Sequence, residues 1–195
     1  MKLYLVRHGE TELNVKKVYY GSTDCELTEK GKEQAVSLKT AFADIPLDLV
    51  LESPLKRAKT TADLLLGEKE VPRLEDDRLK ELDFGGWEGK SYRELQGDPL
   101  YEEWCREWKT TRPPRGESFL DLAGRVRSFY ADLLKREEEQ VLIVAHHAVL
   151  QQLMACLLEA EPESCWHYAF EQGTCTVFEI RDGFAVLKGH NLKDG

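Results

Sequence analysis

The sequence predicts an α/β fold: a three-layer α/β/α sandwich with a mostly parallel sheet, one antiparallel strand, and a lid inserted between about residues 81 and 117. Three observations carry that prediction. Three short runs, at 2–7, 48–51 and 141–145, are apolar almost throughout, as strands covered on both faces must be. Stretches with helical spacing of apolar residues separate them. Two late strand-like runs, 174–180 and 185–188, meet at Asp182-Gly183 and read as a hairpin.

The elements follow in order. Leu3-Tyr4-Leu5-Val6 reads as a buried strand that stops abruptly at Arg7-His8-Gly9. Thr28 is an N-cap candidate for a helix to about residue 42, with Leu27, Ala35, Leu38 and Phe42 at helical spacing. Asp48-Leu49-Val50-Leu51 forms the second strand. Ser53-Pro54 after it reads as an N-cap with proline at the first helical position, and Leu55, Ala58, Ala62 and Leu65 share one face of the helix that follows. From residue 72 to 116 the pattern is irregular and rich in aromatic residues, as expected of an excursion that covers a site. Ser118 and Asp121 resemble a capping box that opens a helix to about residue 135. Val141-Leu142-Ile143-Val144-Ala145 is the third strand; it ends in His146-His147, and a helix of about 148–158 follows.

Length and composition fit one globular domain over residues 1–195. The formal charge of −9, with no basic run to offset it, argues against a nucleic acid or an anionic membrane as partner. The five cysteines are scattered and lack a CxxC pair, so reduced thiols in the cytoplasm are expected. The N-terminal apolar run is too short for a signal-peptide core, and residues 141–145 are too few to span a bilayer.

Chemistry gathers at the strand ends. One strand ends in Arg7-His8, the second near Arg57, and the third in His146. In open α/β sheets ligands sit at the carboxyl ends of the strands. If these strands are neighbours, two arginines and two histidines converge on a pocket for a dianion, and phosphate fits guanidinium forks bidentately. His146-His147 has no third residue at plausible metal-ligand spacing.

The series Arg7-His8-Gly9-Glu10-Thr11, Asn14, Tyr20-Gly21, Leu27-Thr28-Glu29-Lys30-Gly31, Ser53-Pro54-Leu55-Lys56-Arg57-Ala58, Glu81, Phe84-Gly85, Trp87-Glu88-Gly89, Gly116-Glu117-Ser118 and His146 resembles the histidine phosphatase (phosphoglycerate mutase-like) superfamily. The resemblance covers nearly the whole chain. It implies that His8 takes the phosphoryl group as a phosphohistidine. Arg7, Arg57 and His146 would hold the phosphoryl oxygens, and Glu81 would protonate the leaving oxygen and then activate water. Asn14, Tyr20, Gly21 and His147 are expected at the substrate. No metal and no cofactor is implied, and the partner is a small phosphate ester. One position departs from the family pattern: where relatives usually carry glycine after the second histidine, this chain has His147.

The lid segment and Arg115-Gly116-Glu117-Ser118-Phe119 look most like the α-ribazole phosphatase branch. That branch removes the 5′-phosphate of α-ribazole phosphate or cobalamin phosphate in assembly of the cobalamin nucleotide loop. Alternatives are a broad-specificity phosphatase of the same family, then a phosphoglycerate mutase, then a non-catalytic phospho-ligand binding protein. No pattern in the sequence sets an oligomeric state.

Overall fold

A computed structural model describes residues 1–193. Six strands form one sheet: β1 (Lys2–Arg7), β2 (Leu49–Glu52), β3 (Arg73–Glu75), β4 (Gln140–Ala145), β5 (Cys175–Arg181) and β6 (Phe184–Leu192). Their order is β3-β2-β4-β1-β5-β6. The pairs β2–β3, β2–β4 and β1–β4 are parallel, whereas β5 runs antiparallel to both β1 and β6. The helices are α1 (Glu12–Lys16), α2 (Glu29–Ala41), α3 (Lys56–Leu66), α4 (Tyr92–Leu95), α5 (Pro99–Arg106), α6 (Phe119–Leu133) and α7 (His147–Leu157).

The apolar strands send alternate side chains to opposite faces. Tyr4, Val6, Val50, Leu142 and Val144 pack with Leu38 and Phe42 at the α2 end and with Ala58, Ala62 and Leu65 of α3. Leu3, Leu5, Leu49, Leu51, Val141 and Ile143 go the other way, onto Leu122, Val126 and Phe129 of α6 and Leu150 and Leu153 of α7. Each leucine so buried contributes roughly 1.5–3 kcal/mol of hydrophobic stabilisation. The capping residues behave as their chemistry requires: Thr28 accepts from the Gly31 N–H, and Ser118 and Asp121 form a reciprocal box at the start of α6.

The lid has its own small core. Trp87, Leu95 and Tyr101 are buried there, with Tyr19, Phe84 and Trp104 packed against them. Trp108 turns away and packs edge-on to Phe119 and Trp166. Among the described residues no helix is long and apolar enough to cross a membrane.

Three local features depart from the sequence reading. β3 lies within the stretch expected to be irregular; it is three residues long, half-buried to exposed, and exists through pairing with β2 and the Arg73–Glu52 ion pair. α1 is too short to show a period and is set by a Thr11/Asn14 capping box. Ser53-Pro54 does not cap α3: the helix starts at Lys56 behind Leu55, with no side-chain cap.

The His8 loop and α2 meet backbone to backbone. A Cβ on Gly31 would lie 2.1 Å from the Glu10 carbonyl oxygen, and one on Gly9 would lie 2.2 Å from the Gly31 carbonyl oxygen. Gly31→Ala is therefore expected to destabilise the protein by about 1–3 kcal/mol, the usual cost of overpacking. Urea unfolding should show a lower midpoint at unchanged slope; an unchanged midpoint would contradict this packing.

Candidate active site

β4 lies between β1 and β2, so the carboxyl ends of all three point to one place. Arg7 is in register with Ala145, and Glu52 with Val144, which puts His8, Ser53 and His146 just past the same edge.

His8 is 2% exposed. Its Nδ1 lies 2.7 Å from the Gly9 carbonyl oxygen. A carbonyl can only accept, so Nδ1 carries the proton and Nε2 keeps its lone pair. The Gly9 N–H donates to Thr61 Oγ1 at 3.0 Å, and that hydroxyl donates to the Arg57 carbonyl at 2.7 Å. Burial, then the Arg57 and Arg7 charges, hold the His8 imidazole well below its ordinary pKa, and the ring is neutral at pH 7.

Arg57 is fully buried in the first turn of α3. Its Nη2 donates to the Gly21 carbonyl at 2.7 Å, Nη1 to the Thr23 carbonyl at 2.9 Å, and Nε to His146 Nδ1 at 3.2 Å. The Tyr20 ring lies 4.9 Å from the guanidinium carbon. Since Nδ1 of His146 accepts, the proton of that ring sits on Nε2 and is donated to Ser53 Oγ at 2.7 Å. The two histidines are thus opposite tautomers, with ring centroids 5.0 Å apart. Burial and Arg57 also push the His146 pKa well down.

Arg7 donates from Nη1 to the Phe170 carbonyl at 2.9 Å, while its buried Nε has no partner. Glu81 accepts from the Leu82 N–H at 3.0 Å and from the Ala148 N–H at 3.3 Å. The second bond places the carboxyl group at the N-terminus of α7. Arg125 fixes the backbone beneath it, donating to the Glu81 and Arg78 carbonyls at 3.0 and 2.7 Å while gripping the Glu117 carboxylate. His147, the first residue of α7, has a buried Nδ1 without a partner; burial and Arg7 lower its pKa, and Glu81 opposes them. The set combines a neutral imidazole with a free lone pair, two guanidinium groups and a carboxylate. Such a set can accept a phosphoryl group, stabilise its charge and move one proton.

The other expected substrate contacts behave differently. Asn14 gives its side-chain oxygen to Thr11 and to Gln172, at 3.0 and 2.9 Å. Tyr20 bonds Thr11 at 2.9 Å and lies against Arg57. Gly21, expected to line the phosphate, uses both backbone groups inside the protein: its N–H donates to Glu88 at 3.0 Å and its carbonyl receives Arg57. It can act on phosphate only through that arginine. Sequence reasoning missed Ser53, Thr61, Arg125 and Glu117 as supports; Ser53 carried a signal, but one that reads equally as a helix cap. Among the described residues no group of three or more His, Cys, Asp or Glu could hold a metal ion.

The depressed His8 pKa has a sign that can be measured. The unfolded chain takes a proton at this position below about pH 6.5, and the folded chain does not. The contribution to stability is therefore complete above that pH and is lost as pH falls. Below about pH 6.5 the wild-type unfolding free energy should fall more steeply than that of His8→Ala, the difference in slope rising toward a limit of about 1.4 kcal/mol per pH unit as the unfolded imidazole takes up its proton. Parallel slopes would mean that folded His8 titrates normally.

A sequence model of the histidine phosphatase superfamily (branch 1) matches residues 3–193. The chain is 41% identical to an adenosylcobalamin/alpha-ribazole phosphatase of Salmonella typhimurium, over 99% of this chain and 97% of that relative. Its structure superposes on an alpha-ribazole phosphatase from Shigella flexneri with a TM-score of 0.97, 38% identity, and coverage of 100% of this chain and 98% of the other. A phosphoserine phosphatase from Entamoeba histolytica, in complex with 3-phosphoglyceric acid, matches with a TM-score of 0.81 and 32% identity, covering 97% of this chain and 96% of that one. Family model, full-length identity and superposition agree with one another, and the chain belongs to the histidine phosphatase superfamily.

Proposed function

We propose that this chain is a phosphomonoesterase that removes the 5′-phosphate of α-ribazole phosphate, or of cobalamin phosphate, in assembly of the cobalamin nucleotide loop. His8 Nε2 attacks phosphorus, and the P–O bond to the ribose carbon's oxygen breaks. Glu81 in its protonated form delivers a proton to that oxygen, leaving an alcohol and a phosphohistidine. The carboxylate then takes a proton from water, which attacks phosphorus and frees His8 and inorganic phosphate. Arg7, Arg57 and His146 hold the phosphoryl oxygens through both transfers. His146 has both ring nitrogens engaged, so binding exchanges its bond to Ser53 for one to phosphate. A cytoplasmic location accords with five cysteines that all carry free thiols.

The substrate reading rests on one observation above the others. The superposition at a TM-score of 0.97 covers 100% of this chain, lid included, on a protein described as an alpha-ribazole phosphatase. The phosphoserine phosphatase match, at 0.81, is looser.

A panel of phosphate esters tests this. kcat/KM should be highest for α-ribazole phosphate, above 3-phosphoglycerate (with or without 2,3-bisphosphoglycerate), phosphoserine, sugar phosphates and nucleotides. No preference would retire the cobalamin assignment. His8→Ala should lose on the order of 10⁴–10⁶ in turnover, as expected for removal of a nucleophile. Glu81→Gln should lower kcat/KM by roughly 10²–10⁴ for α-ribazole phosphate and much less for p-nitrophenyl phosphate, whose leaving group needs no proton. Equal losses on both substrates would remove Glu81 from the acid role.

A further inference from the structure

The loop at residues 21–23 faces two charges with opposite sides of its backbone. The N–H groups of Gly21, Ser22 and Thr23 all donate to the Glu88 carboxylate, at 3.0, 2.7 and 2.6 Å. The hydroxyls of Ser22 and Thr23 donate to it as well. The carbonyls of Gly21 and Thr23 instead receive Nη2 and Nη1 of Arg57. Among these groups, the Gly21 carbonyl and the Ser22 N–H belong to one planar, trans peptide unit and point in opposite directions. That single unit spans from Glu88 to Arg57. The carboxylate stands at its positive end and the guanidinium at its negative end, so both charges favour one orientation of the peptide dipole.

Glu88 is itself fixed from the lid. It follows the turn Gly85–Trp87, and Trp87 is buried among Tyr101 and Trp104. Beside it the Gly89 N–H donates to the Tyr19 carbonyl at 2.8 Å, and the Tyr19 N–H to the Lys90 carbonyl at 2.9 Å. Ser22 and Thr23 are exposed, so little apolar packing holds this loop in place. Besides one bond from Ser22 Oγ to Asp83 at 3.0 Å and the close approach of the Gly21 backbone to Leu82, the hydrogen bonds to the Glu88 carboxylate do so, and they keep that carboxyl below its ordinary pKa although burial pushes the other way.

We propose that Glu88 is a positioning residue for the phosphate site: acting through the Gly21–Ser22 peptide unit, it sets the orientation of the Arg57 guanidinium and ties the base of the lid to the group that grips the phosphoryl oxygens. This rests on the reading of Arg57 as a phosphate ligand. A misplacement near 1 Å of such a group costs about 10²-fold in rate.

The test compares wild type, Glu88→Gln, Arg57→Ala and the double variant, with p-nitrophenyl phosphate as substrate and inorganic phosphate as competitive inhibitor. Glu88→Gln should lower kcat about 10²-fold and weaken phosphate inhibition about tenfold. In the Arg57→Ala background the same change should have almost no further effect, because the group it positions is gone. Equal factors in both backgrounds, or an unchanged kcat in Glu88→Gln, would overturn the inference. A fall in thermal midpoint with unchanged kcat would make Glu88 a purely structural residue and overturn it too. If Arg57→Ala keeps wild-type turnover, the reading of Arg57 fails and takes this inference with it. If Arg57→Ala collapses while Glu88→Gln does not, only the inference fails. Glu88→Asp, which keeps the charge and withdraws it by one methylene, gives the same comparison should Glu88→Gln not fold.

Discussion

The site depends on a buried cation that has no carboxylate in contact. Arg57 is fully buried, and among the described residues it makes no ion pair. Taking a guanidinium out of water costs several kcal/mol. Two carbonyls, one imidazole nitrogen and the face of Tyr20 offset part of that cost, but all are neutral. The positive charge is left over, and two consequences follow. It adds to burial, the larger cause, in depressing the pKa of both His8 and His146, which keeps them neutral. It also leaves the site short of negative charge, which suits the proposed phosphate ester, whose dianion would supply the missing counter-charge at groups already in place.

Neutrality matters most at His8. A protonated imidazole has no lone pair to attack with, and a neutral one has it on either nitrogen. The Gly9 carbonyl settles the choice for Nε2, and Thr61 holds Gly9. Thr61 in turn bonds the Arg57 carbonyl, so α3 supplies both a charge that adds to burial in keeping His8 neutral and a hydroxyl that orients its loop. The close backbone approach of Gly9 to Gly31 fixes the loop from α2.

Much of this arrangement is legible in the sequence, and the reason is physical. Strands covered on both faces are mostly apolar, so the polar residues that end the runs, at Arg7-His8 and His146, mark the edge where polar groups gather. The supports are less legible because they act over long separations. Ser53 meets His146 across 93 residues, and Glu88 meets Gly21 across 67. A local pattern carries no trace of such pairs, and Ser53-Pro54 carries a misleading one. β3 was invisible because an edge strand of three residues with charged side chains has no hydrophobic signature. The lid aromatics are legible as a cluster, yet their partners are not: Trp104 stacks on Tyr101, whereas Trp108 leaves the lid core for Phe119 and Trp166.

The proposed reaction requires a neutral His8, with its tautomer set by Gly9, to present Nε2 to phosphorus. Trapping the phosphorylated protein tests it most directly. Glu81→Gln, which should slow the release of the phosphoryl group, is mixed with p-nitrophenyl phosphate, quenched in alkali and digested, and the phosphopeptide is assigned by mass spectrometry and phosphorus NMR. One phosphoryl group is expected, on His8, at Nε2. A phosphoryl group on Nδ1 of His8, on His146 or His147, or on no residue at all, would contradict it.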